Sequence, residues 1–63
     1  MPIVQVNMMS GRTADQKEKM IRKVTDAVME AIDAPEQNVT VIINEIPKSE
    51  FGIGGLSADK QGR

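Results

Sequence analysis

Near the start of the chain, Val4, Val6 and Met8 alternate with Gln5 and Asn7. A period of two marks a strand with one face against a core. It predicts a strand over residues 2–9, with Ile3 and Met9 adding apolar ends to the other face. Ser10-Gly11-Arg12 breaks the pattern. Thr13 then reads as a helix N-cap, and Gln16 three residues later completes a capping box. The helix is predicted over residues 14–33. Met20, Ile21, Val24, Ala27, Val28, Ala31 and Ile32 recur at helical spacing and trace one apolar stripe, read as the core face. Asp15 with Lys19 and Glu18 with Arg22 are acid-first pairs four apart, each a mild support for the helix. Pro35 ends the helix. Residues 39–46, Val-Thr-Val-Ile-Ile-Asn-Glu-Ile, are dense in β-branched side chains and predict a second strand, closed by Pro47.

Strand, helix of about 20 residues, strand is a β-α-β unit, so the strands should run parallel with a right-handed crossover. Phe51-Gly52-Ile53-Gly54-Gly55-Leu56 carries three glycines in four positions, which suits a short C-terminal hairpin or a loop against a partner. Residues 57–63 are polar and are expected to fray. The fold class is therefore α+β: one β-α-β unit with parallel strands and a short C-terminal hairpin, a single domain over 1–63. One sheet face is left bare, with Ile3, Ile42 and Ile46 on it, and both strands keep open edges. Such faces and edges invite pairing with another chain.

Composition sharpens this expectation. A chain of 63 residues with one aromatic side chain, Phe51, has little with which to build a core. Without disulfide or metal, chains of this size lean on oligomerisation. There is no Cys and no His. That removes disulfides, thiol catalysis, Ser-His-Asp chemistry and the commonest zinc ligands. Eight Lys and Arg against nine Asp and Glu give a net charge of −1. This balance argues against nucleic-acid binding, and with it against a small strand-helix-helix DNA-binding dimer. No apolar run approaches a membrane span and no secretory signal is visible, so the expected location is the cytoplasm.

The remaining chemistry lies in carboxylates, Lys, Arg, hydroxyls and the N-terminus. Pro2 follows the initiator Met, which is commonly removed before a small residue. Removal would leave a secondary amine on Pro2. An α-amino group titrates near about 8, and apolar surroundings or a nearby cation lower that value. A neutral amine at pH 7 is a competent general base. If Met1 stays attached, the nitrogen is an amide and cannot accept a proton. Pro at a strand start is also common for purely structural reasons. Arg12, just past the strand, could supply the cation or hold a carboxylate through its forked donors, or could be a solvated turn residue. The Gly-rich segment lacks the spacing of a phosphate cradle. Phe51 suits a core or interface as well as a substrate wall.

Taken together, Pro-Ile-Val-Gln-Val at the start, Gly11-Arg12-Thr13 with Asp15-Gln16-Lys17, Asp33-Ala34-Pro35, Val41-Ile42-Ile43-Asn44-Glu45 and Phe51-Gly52-Ile53-Gly54-Gly55 resemble the 4-oxalocrotonate tautomerase (2-hydroxymuconate tautomerase) family. The resemblance covers nearly the whole chain. It implies β-α-β subunits that pair into dimers, three of which assemble into a homohexamer. It implies an isomerase in which the amine of Pro2 moves a proton between the enol oxygen and a carbon of a conjugated 2-hydroxy acid, as in catechol degradation, with no cofactor and no metal. Arg12 matches the arginine that engages the far carboxylate of the diacid. Phe51 matches the aromatic that keeps the pocket apolar.

Thr40 departs from the pattern, because family members acting on the diacid carry a second arginine there, on the 1-carboxylate. Thr can donate one neutral hydrogen bond but cannot form a bidentate charged pair. Three readings follow from the resemblance: a tautomerase for another enol such as a monoacid, an arginine supplied by a different chain in a mixed oligomer, or replacement by a residue such as Lys48. The alternative function is a weak or inactive subunit of a mixed tautomerase-fold oligomer.

Overall fold

The computed structural model describes all residues, Met1–Arg63. Strand β1 spans Ile3–Met9, helix α1 Ala14–Ile32 and strand β2 Thr40–Ile46, and a C-terminal hairpin pairs β3 (Gly52–Ile53) with β4 (Leu56–Ser57). β1 and β2 are parallel, in register from Ile3 opposite Thr40 to Met9 opposite Ile46. The expected β-α-β order and strand direction are both present.

The capping box forms. Thr13 Oγ1 accepts from the Gln16 amide at 3.1 Å, and Gln16 Oε1 accepts from the Thr13 amide at 3.0 Å. The helix ends at Asp33 in the left-handed conformation (φ 56°), ahead of Pro35. The predicted acid-first pairs do not form. Arg22 instead takes Asp26 at 2.7 Å and Glu36 at 3.3 Å, because the turn at Glu36–Asn38 brings a second carboxylate to it. These partners hold the Arg22 guanidinium above its ordinary pKa, the hydrogen bond to Asp26 first.

Val4, Val6 and Met8 with Val41 and Ile43 form the half-buried face of the sheet, toward α1. Only part of the predicted helix stripe meets it. Ile21, Val24 and Val28 are half-buried, together with Met29, and Thr25 is buried with its hydroxyl donating to the Ile21 carbonyl at 2.7 Å. Ala27, Ala31 and Ile32 are exposed. Two strands about 4.8 Å apart are narrower than the stripe and cannot cover it.

The opposite face is open. Ile3 and Ile42 are exposed there, and Asn44 Nδ2 donates to Asn7 Oδ1 at 3.1 Å across the strand pair. The chain's accessible surface is 4682 Å², against about 4,000 Å² for a compact chain of this mass. The Cα radius of gyration is 14.6 Å, where about 10.6 Å is expected of a compact 63-residue domain. These values describe a subunit shaped for an assembly.

The C-terminal segment departs from the expected fraying. Gly54 (φ 64°) and Gly55 (φ 87°) supply the two left-handed residues of a tight hairpin turn. Gln61 Nε2 donates to the carbonyls of Ile53 (3.0 Å) and Leu56 (2.7 Å), and the Arg63 amide donates to Ala58 O at 3.0 Å. Ala58 is fully buried beneath these turns. Polar side chains here satisfy backbone groups of the hairpin, so polarity does not mean disorder.

Candidate active site

The four candidate residues fall into two groups at opposite ends of the sheet. Pro2 precedes β1 and is half-buried; its carbonyl accepts from the Thr40 amide at 3.0 Å. That bond carries the sheet pairing one step past Ile3, so it ties the Pro2 backbone to the first residue of β2. Thr40 is exposed, on the same face as Ile3 and Ile42, and its hydroxyl has no protein partner. Met1 is exposed and projects beyond the sheet.

Arg12 lies past the other end of β1, in the turn before α1. Seven residues at about 3.3 Å each set this turn roughly 23 Å from Pro2. An Arg12 acting as the cation beside Pro2 would therefore have to come from another chain, because a strand lies between the two in this one. The signal was available in the length of β1.

Phe51 and Lys48 belong to the Arg12 end. Both follow β2, whose last residue pairs with Met9. Phe51 is half-buried; its amide donates to Lys48 O at 3.4 Å and its carbonyl accepts from Ala58 at 2.7 Å. A cleft of about 400 Å³ opens between the β1–α1 turn and the C-terminal segment, with Met8, Met9, Arg12, Lys48 and Arg63 around it. Phe51 is not in its wall. Beside it, Lys17 is held by Glu45 at 2.6 Å, which fixes the start of α1 against β2. Lys48 was singled out only as a replacement for the arginine absent at Thr40, and Arg63 not at all; folding brings both to Arg12.

The two ends differ in charge. From Asp33 to Ile42 the chain has Asp33 and Glu36 and no Lys or Arg. The cleft at the other end holds three cations, none of which has a carboxylate partner. No group of three or more acidic, His or Cys side chains is arranged to hold a metal ion. No helix is long and apolar enough to cross a membrane.

One end thus presents a half-buried proline and a free hydroxyl, the other an anion-receptive cleft. A two-fold pairing of chains with antiparallel strands would set the first end of one chain against the second end of its partner.

Residues 2–61 match the sequence model of a family described as "tautomerase enzyme". The chain is 51% identical to a 2-hydroxymuconate tautomerase of Stutzerimonas stutzeri and 48% identical to one of Comamonas testosteroni, over the full length of both chains in each case. A solved 4-oxalocrotonate tautomerase isozyme of Methylibium petroleiphilum superposes with a TM-score of 0.93 at 50% identity, covering 98% of this chain and 100% of that one. A heterohexameric 4-oxalocrotonate tautomerase of Chloroflexus aurantiacus superposes with a TM-score of 0.89 at 32% identity, covering 95% and 97%.

Proposed function

This chain belongs to the tautomerase enzyme family, and from that premise we propose that it isomerises a conjugated 2-hydroxy acid of the 2-hydroxymuconate type with Pro2 as general base. Removal of Met1 turns the Pro2 nitrogen into a secondary amine. That amine takes the proton of the enol hydroxyl. The oxygen becomes a carbonyl, the electron pairs shift along the conjugated chain, and the protonated amine returns the proton to a carbon. The net change is an isomerisation that consumes no co-reactant.

The observation that carries this reading is the placement of Pro2, half-buried at the start of β1 and tied to Thr40 by a 3.0 Å backbone hydrogen bond. In our reading Arg12 comes from a partner chain, because its own chain's Arg12 is a strand length away. Arg12 would grip the far carboxylate and draw electron density toward it as charge develops. Phe51, from the same end of the partner, would limit water at the site. Thr40 would give one neutral hydrogen bond at the reacting end. The assembly we propose is a homohexamer built as three such pairs.

A second reading, a weak subunit in a mixed oligomer, draws on the missing cation around Thr40. Both are tested by ultraviolet-monitored ketonisation of 2-hydroxymuconate and phenylenolpyruvate on protein lacking Met1. Turnover by this chain alone that disappears in Pro2→Ala, with the oligomer intact, supports the first. No turnover alone, with activity appearing only beside a second family chain, supports the other.

A further inference from the structure

Lys48 and Arg63 share the cleft with Arg12, and the proposed function assigns neither of them. We infer that Lys48 is a second carboxylate-binding residue, acting with Arg12 on the far carboxylate of a diacid substrate. The inference rests on the tautomerase reading of the site and deepens it by assigning a further substrate-binding residue.

Three observations carry it. First, Arg12, Lys48 and Arg63 surround one cleft of about 400 Å³, within the size range of small-molecule sites. Second, all three cations lack a carboxylate partner within the chain, although the chain has nine Asp and Glu. The neighbouring Lys17 is by contrast engaged by Glu45 at 2.6 Å. A bound anion in the cleft would gain attraction from side chains that no Asp or Glu side chain already occupies. Third, Lys48 is held in place by its backbone. Its carbonyl accepts from the Phe51 amide at 3.4 Å and the Asp59 amide at 3.3 Å, so the C-terminal segment fixes the Lys48 backbone at the rim of the cleft that Arg12 also lines.

The two cations differ usefully. Arg12 offers a planar fork that meets both oxygens of a carboxylate, and Lys48 adds a compact charge in the same cleft. The chain thus gathers three unpaired cations at the end that receives the far carboxylate, whereas the cation nearest the Thr40 end, Arg22, is already held by Asp26 and Glu36. A substrate with a carboxylate remote from the enol gains from this arrangement, and one lacking it does not.

The test pairs kinetics with binding. Lys48→Gln should raise KM for 2-hydroxymuconate about tenfold with kcat changed less than about twofold, the order expected of one charge-assisted contact. The preference for the diacid over phenylenolpyruvate should fall by the same factor, and Lys48→Arg should restore it. An equal loss on both substrates, or no loss, overturns the inference. NMR titration with adipate and with hexanoate reads the cleft without turnover. Adipate should bind more tightly than hexanoate to the wild-type oligomer and lose that advantage in Lys48→Gln. Absent or equal binding of the two acids overturns the role of Lys48 even where Pro2-dependent turnover is intact. Selective adipate binding in a protein whose turnover survives Pro2→Ala would instead overturn the reading of Pro2 and leave Lys48 standing.

Discussion

Replacing Ile42 with Asp tests whether the bare sheet face is an assembly surface. Ile42 lies in the middle of β2 on the face turned away from α1, and is 40% exposed in the single chain. Full burial of an Ile side chain is worth about 1.5–3 kcal/mol, so covering the exposed part contributes about 0.6–1.2 kcal/mol. A two-fold contact counts it twice, giving roughly 1–2 kcal/mol, or about a five- to thirtyfold change in dissociation constant. Ile42→Thr keeps the β-branch and should lose about that much. Ile42→Asp adds a short carboxylate that cannot reach solvent from a covered face, at a further cost of several kcal/mol. Together these raise the dissociation constant by about a thousandfold or more. Sedimentation velocity across a dilution series reads the assembly, and ketonisation at the same concentrations reads the site. Wild-type protein should stay assembled and active, the Thr variant should dissociate at modestly higher concentration, and the Asp variant should be dissociated and inactive. Circular dichroism checks that the Asp chain retains its helix. An Asp variant that stays assembled and active at wild-type concentrations would refute the assignment of this face.

Other substitutions read other links of the argument. Thr13→Ala removes the capping box seen at 3.1 and 3.0 Å and should cost about 1 kcal/mol in denaturant unfolding; an unchanged midpoint at constant slope would contradict it. Gly55→Ala forces a Cβ into a left-handed turn (φ 87°) and should cost about 1–2 kcal/mol, visible as faster amide exchange at Gly52–Ser57 ahead of any change in β1. Glu45→Gln breaks the 2.6 Å pair with Lys17, whose side chains are 28% and 36% exposed. It should cost less than about 1 kcal/mol of stability. A larger loss would mean that the pair does more than hold α1 to β2.

Much of the fold was legible because its period signals are long. Five alternating residues in β1, Val4 to Met8, and the β-branched run of β2 leave few options, and the Thr13–Gln16 box marks the helix start within one residue. What stayed hidden depended on packing partners. The helix stripe through Ala27, Ala31 and Ile32 reads as core, but a two-stranded sheet is too narrow to cover it. The polar tail reads as frayed, although Gln61 and the turn amides tie it to the hairpin over a buried Ala58. The site shows the same division. Pro2, Arg12, Phe51 and Thr40 stand out by residue type and resemblance. Their separation into two ends follows from the strand rise, and the meeting of Lys48 and Arg63 with Arg12 follows only from the path of the C-terminal segment.

The central claim is that Pro2 of one chain works with Arg12 of another. Subunit mixing tests it directly. Pro2→Ala and Arg12→Ala chains, each inactive alone, are unfolded together, refolded at equal amounts and assayed for ketonisation. In a two-fold pair, a mixed dimer holds one site with both groups intact and one with neither. Random pairing then restores about a quarter of wild-type activity. Recovery near that value is the predicted result. A mixture as inactive as its separate components would place both groups in one chain and contradict the account.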